Sequence, residues 1–96
     1  MQKSNEQSLG EIIKQWLKQS KTEEKIVEVR IHASWQKIMG GDINRLTEKL
    51  VYKNKTLTVY LRSAPLREEL SMARTKIVKM INKEFESKVV EEVIFR

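Results

Sequence analysis

Residues 53–70 read Lys-Asn-Lys-Thr-Leu-Thr-Val-Tyr-Leu-Arg-Ser-Ala-Pro-Leu-Arg-Glu-Glu-Leu, and this stretch decides the fold. Leu57, Val59 and Leu61 alternate with Thr58, Tyr60 and Arg62, the period-two pattern of a strand with one buried face. Ahead of them, Asn54-Lys55 can turn the chain, because asparagine tolerates the positive φ of a tight hairpin. Behind them, Ser63-Ala64-Pro65 switches the period to about 3.6. Proline has no N–H and a preset φ, so Pro65 fits the first turn of a helix. Glu68 and Glu69 then fall toward the positive end of the helix dipole.

Upstream of the hairpin, Leu50-Val51-Tyr52 supplies an antiparallel partner for the Thr56–Arg62 strand. Leu9, Ile12, Ile13, Trp16 and Leu17 keep helical spacing and predict a short first helix that fades at Gln19-Ser20-Lys21. Residues 1–7 are polar and are expected to fray. Thr22 is a candidate N-cap for a second helix, with Glu23 and Glu24 in its first turn and Gly40-Gly41 as its stop. That helix is apolar on two sides: Val27, Ile31, Trp35 and Ile38 on one, Ile26, Val29 and Ala33 on the other. Such a helix is expected to be sandwiched, here between the first helix and the sheet. Trp16 and Trp35 sit among aliphatic neighbours and read as core.

Asp42 to Leu46 is read as a short helical turn. Downstream, a third helix is predicted from Pro65 to Phe85, burying Leu66, Leu70, Ala73, Ile77 and Ile81. Residues 89–95 are β-rich but alternate poorly, so they predict a strand of unfixed register. No repeat or linker interrupts the chain. The reading is one α+β domain over residues 1–96, in the order α-α-β-β-α-β.

Ninety-six residues can bury a modest core without staples. No apolar run reaches the roughly 20 residues of a membrane span. The N-terminus lacks a signal-peptide core, so the expected compartment is the cytoplasm. Without cysteine there is no disulfide and no thiolate zinc site. No cofactor is called for.

Charge is uneven. Residues 1–48 carry eight basic and seven acidic side chains, a balance of +1, whereas residues 49–96 carry eleven and six, a balance of +5. A basic half points to an acidic partner, nucleic acid above all. Lys76, Lys79 and Lys83 fall at i, i+3 and i+7, so one helical face presents three ammonium groups. Arg67 and Arg74 flank the buried stripe, and Lys49, Lys53, Lys55 and Arg62 charge the hairpin. The row reads either as a phosphate-binding edge or as a solvated face diluted by Glu68, Glu69, Glu84 and Glu86. Tyr52 and Tyr60 read either as base-stacking residues or as ordinary cross-strand partners.

Catalysis finds no support. His32 is the only histidine and reads as a structural or surface residue. No Gly-x-Ser-x-Gly motif is present. Glu68-Glu69 and Glu91-Glu92 are adjacent pairs, a poor spacing for a shared acid/base site.

Trp35-Gln-Lys-Ile-Met-Gly40, the Leu57-Thr-Val-Tyr-Leu61 strand, Ser63-Ala, Glu69-Leu70, Ile81-Asn82 and Val93-Ile-Phe-Arg96 together resemble the DciA-like family. These bacterial proteins were long carried as a domain of unknown function and once noted as candidate RNA binders. The resemblance covers roughly residues 20–96. It implies a KH-like fold, here a three-stranded sheet backed by helices, and a role with the replicative helicase in DNA replication. The chain departs from the family at Leu66, where a tryptophan is frequent, and it cannot be a zinc-ribbon relative. It also lacks the Gly-x-x-Gly clamp of true KH domains and ends at Arg96 without the long tail of many members.

The resulting expectation is a non-enzymatic accessory factor. Its nucleic-acid contacts would come from Lys76, Lys79, Lys83, Lys53, Lys55, Arg62, Arg67 and Arg74, with DNA favoured over RNA and a replicative helicase as protein partner. Two rivals stand beside it: a protein-interaction module, homodimeric in one version, and an RNA-binding protein. The oligomeric state is not legible.

Overall fold

The computed structural model describes residues 9–96, and of residues 13–21 only the backbone. The elements in chain order are α1 (Leu9–Met39), α2 (Gly41–Leu46), β1 (Thr47–Lys53), β2 (Thr56–Leu61), α3 (Ala64–Ser71), α4 (Arg74–Phe85) and β3 (Glu92–Phe95). The three strands form one sheet with β2 in the middle, antiparallel to β1 and parallel to β3. The architecture is therefore α+β with helices on a three-stranded mixed sheet. The expected order α-α-β-β-α-β becomes α-α-β-β-α-α-β, with two corrections to the helices.

The first correction concerns the N-terminal helices. Leu9 to Met39 is one helix of 31 residues, and Thr22 lies inside it rather than capping a second one. Gln19-Ser20-Lys21 contains neither glycine nor proline, and Gln and Lys are good helix formers, so nothing there stops propagation. A helix this long spans about 46 Å and cannot fold back on itself. Ile26 and Val29 are accordingly 54% and 55% exposed, and Ala33 is exposed too, against the expected sandwich. The other stripe behaves as predicted. Ile31 and Trp35 are buried, with Val27 and Ile38 packed against the same core. Leu9 and Ile12 are exposed, and Ile13, Trp16 and Leu17 lie outside the described side chains.

The second correction splits the Pro65–Phe85 helix in two. Met72 N–H bonds to the Glu69 carbonyl at 3.2 Å and Ala73 N–H to the Leu70 carbonyl at 3.0 Å, the shorter-range bonds of a closing last turn. Ser71 Oγ donates to the Arg67 carbonyl at 2.7 Å, a back-bond that bends helices. The buried stripe survives the break: Leu70, Ile77 and Ile81 are in the core, with Leu66 and Ala73 against it.

The hairpin is as read. Asn54 and Lys55 take φ of 51° and 60°, the paired positive values of a two-residue turn that matches strand twist. Ser63 caps α3, its hydroxyl accepting from Leu66 N–H at 3.2 Å, and Pro65 stands in the first turn. Glu68 and Glu69 fall beyond that first turn. Gly40 ends α1 with a φ of 92°, a conformation that favours glycine. The third strand starts only at Glu92. Val90 before it is buried because Asn82 grips its backbone, Nδ2 donating to the carbonyl and Oδ1 accepting the N–H, both at 2.9 Å.

Leu50, Tyr52, Leu57, Val59, Leu61, Val93 and Phe95 line the inner face of the sheet. Trp35 is the largest fully buried side chain, and its Nε1–H donates to Thr47 Oγ1 at 3.0 Å. Thr47 in turn donates to the Ile43 carbonyl at 2.7 Å, so α1, α2 and β1 meet at one satisfied polar point.

Candidate nucleic-acid interface

On α4, burial of Ile77 and Ile81 turns Lys76, Lys79 and Lys83 to the opposite, outer side. All three are exposed, and none has an ion-pair partner among the described residues. Glu84, which diluted this charge in the sequence, is engaged by Lys37 of α1 at 2.9 Å. Two turns earlier on α1, the Arg30 guanidinium lies 4.7 Å from the ring centre of Phe85, the residue after Glu84. The α1–α4 crossing thus absorbs one acid of the helix and leaves the lysine row free.

Beside the row runs a groove of about 550 Å³ lined by Thr75, Val78, Lys79, Asn82, Lys88, Val90 and Glu91. Lys88 is a basic residue of this rim that sequence reasoning missed. It follows the end of α4, where no helical period extends. A smaller groove at the other end of α4, about 260 Å³, holds Arg74 together with Glu91 and Glu92. Arg74 therefore faces carboxylates as well as solvent.

The remaining candidates are not gathered there. Strand alternation puts Lys53 on the opposite face of the sheet, away from the helices, and extends the same face to Arg62. Arg62 lies 3.8 Å from Glu48, and Lys55, in the hairpin turn, 3.9 Å from Glu91. Arg67 is half-buried: Nη2 donates to the Leu61 carbonyl at 3.2 Å, and Nε is buried without a partner. Its guanidinium ties the end of β2 to the start of α3. Lys76, Lys79, Lys83 and Arg74 thus lie on the α4 side and Lys53 and Arg62 on the opposite face of the sheet, while Lys55 sits in the turn beside Glu91 of the α4 grooves and Arg67 is half-buried.

The tyrosines separate as well. Tyr52 is in the core, where its hydroxyl donates to the Val89 carbonyl, and burial pushes its pKa up. Tyr60 is half-buried on the open face of the sheet. His32 is exposed on α1, as a surface residue would be. Among the described residues, no three His, Asp or Glu side chains come together as a metal ion requires, and no helix is long and apolar enough to cross a membrane.

The family model described as "Dna[CI] antecedent, DciA" matches residues 8–95, nearly the whole chain. The chain belongs to the DciA family. Comparison with curated proteins and with solved structures gives no significant match. The motifs that resemble DciA proteins in this sequence prove to be fold determinants: Trp35 fills the core, Gly40 takes the positive φ, Ser63 caps α3, and Asn82 grips Val90.

Proposed function

We propose that this DciA-family domain is a non-enzymatic accessory factor of DNA replication, of the helicase-loader kind. It binds nucleic acid through charge, DNA over RNA, and docks on a replicative helicase through a separate surface. One observation carries the nucleic-acid half: three lysines at helical spacing on the outer side of α4, all without ion-pair partners among the described residues. The helicase half rests on family membership.

A strand pair followed by two helices and a parallel third strand supports a KH-like reading of the fold. The three glycines are Gly10, Gly40 and Gly41, so no Gly-x-x-Gly loop is present to clamp a backbone. Side-chain cations are the available substitute. Lys76, Lys79 and Lys83 form the primary contact, Arg74 borders it, and Lys53, Lys55, Arg62 and Arg67 belong to the hairpin side. Lys88 joins the α4 surface.

A second reading is favoured by Ile26 and Val29, two exposed apolar residues on the outer side of α1: a protein-interaction module whose charge serves solubility. A salt titration of binding to single-stranded DNA, duplex DNA and RNA of equal length decides between the readings. Affinity that falls linearly on a log–log salt scale supports phosphate binding. Absence of binding to all three at low salt leaves the interaction module.

A further inference from the structure

The helices pack Ile31, Trp35, Leu70, Ile77 and Ile81 into the core on the Leu50/Leu57/Val59/Val93 side of the sheet, and among the described residues the other face carries no fully buried side chain. Alternation places Lys49, Val51 and Lys53 of β1, Thr56, Thr58 and Tyr60 of β2, and Glu92, Ile94 and Arg96 along β3 on that open face. The register sorts them into cross-strand rows. Val51 and Ile94 flank Thr58, making an apolar centre. Lys49 pairs with Tyr60 on one side. Arg96 N–H donates to the Val59 carbonyl and the Arg96 carbonyl accepts from Leu61 N–H, both at 2.8 Å, which sets Arg96 beside Tyr60 on the other.

The row Lys49–Tyr60–Arg96 is thus a ring between two cations. Lys49 Nζ already lies 5.5 Å from the ring centre, and Arg96 makes no ion pair among the described residues. Neighbouring strands are about 4.8 Å apart, so both cations stand within one side-chain length of the ring. Among the described side chains, no other aromatic offers this. Trp35, Tyr52 and Phe95 are in the core, and Phe85 packs at the helix crossing under Arg30. The outer side of α4 carries charge but no aromatic residue.

A flat π-surface with a cation on either hand is complementary to a nucleotide whose base is unpaired. The base stacks, and the adjoining phosphates meet the cations. Duplex bases are hidden in their own stack and cannot use the ring. The geometry points to the open face of the sheet as a binding site for single-stranded nucleic acid, with a base on Tyr60 and phosphates at Lys49 and Arg96. This rests on the nucleic-acid reading of the domain and adds strand selectivity to it, on the face opposite the α4 lysines.

The test compares fluorescence anisotropy of labelled oligo(dT) with that of a duplex of equal length. The chains are the parent, Tyr60→Leu, Tyr60→Phe, and the Lys76/Lys79/Lys83→Gln triple. Loss of one stacked base corresponds to about 5- to 150-fold in affinity, so Tyr60→Leu should weaken oligo(dT) binding by that range without changing its salt slope. Tyr60→Phe keeps the ring and should bind like the parent, and duplex binding should be unmoved by either change. Should Tyr60→Leu be unfolded at the assay temperature, Lys49→Gln with Arg96→Gln replaces it, and the single-strand slope should flatten by about 1.4. Parent-like oligo(dT) binding by Tyr60→Leu, with loss in the lysine triple, overturns the sheet site and leaves the nucleic-acid reading standing. A parent that binds neither probe at low salt overturns both.

Discussion

The Glu28 carboxylate on α1 accepts the backbone N–H of Tyr52 at 2.9 Å, on the edge of β1 that no strand occupies. One turn earlier, Glu24 accepts the N–H of Asn54 at 2.7 Å. The match is geometric. Four helical residues rise about 6 Å, close to the roughly 6.8 Å of two strand residues, so carboxylates at i and i+4 meet N–H groups at j and j−2 in register. Charged acceptors of this kind also block the edge against pairing with another chain.

The Tyr52 hydrogen bond is the main reason the Glu28 carboxyl is held below its ordinary value of 4.5, against a smaller opposing effect of burial. A carboxyl with a depressed folded-state pKa stabilises the fold above the ordinary value. That stability disappears as pH falls through the folded value. Melting temperature should therefore drop on acidification below about pH 4.5 in the parent. Glu28→Gln keeps an acceptor and should show a shallower drop, whereas Glu28→Ala should lose about 1–3 kcal/mol already at neutral pH. Identical acid limbs for parent and Glu28→Gln would remove the linkage.

Asn82 should be among the most sensitive polar positions. Asn82→Leu leaves both the N–H and the carbonyl of buried Val90 without partners, a loss of about 1–3 kcal/mol for each group. Asn82→Asp keeps one of the two bonds and places a charge beside the carbonyl it formerly donated to. Urea midpoints should rank parent, then Asn82→Asp, then Asn82→Leu, and equal midpoints would contradict the grip.

These two devices mark where sequence reading stopped. Alternation over residues 57–61 was legible because one face of β2 is buried and every step changes sides. The two helical stripes that reach the core were legible for the same reason, at period 3.6. Glu24 looked like an ordinary first-turn acid and Glu28 carried no signal, since their partners lie in the hairpin more than 20 residues away. The break after Ser71 was hidden because Met72 and Ala73 are good helix formers; backbone bonding and the Ser71 hydroxyl end α3. Of the candidate site, the lysine row was legible from spacing alone. That Lys53 and Arg62 face the other way could be known only once the helices had chosen a side of the sheet.

Trp35 tests the core itself. It is 1% exposed and joins α1 to β1 through its indole N–H. Trp35→Ala should lose about 3–5 kcal/mol, a large share of what a domain this small has. Trp35→Phe keeps most of the volume, leaves Thr47 without that donor, and should fall between. Circular-dichroism melts check the order. A Trp35→Ala variant that melts with the parent and loses a partner would move this side chain from the core to a surface.

The lysine row gives the test of charge alone. Lys76, Lys79 and Lys83 lie on the outer side of α4, so all three can meet phosphates on one strand, each displacing condensed counterions. Changing the three to Gln keeps good helix formers and removes only the charge. For single strands each contact contributes about 0.7 to the log–log salt slope, so the triple variant should flatten it by up to about 2. Melting should barely change, because these side chains are exposed and make no ion pair among the described residues. The two measurements separate a binding surface from a structural one: slope without stability marks phosphate contact, and stability without slope marks packing. If both slope and affinity stay at the parent's values, the row is solvated surface, and the counterion release comes from the other basic side chains, Arg74 and Lys88 at the α4 grooves or Lys49, Lys53, Arg62 and Arg96 across the sheet.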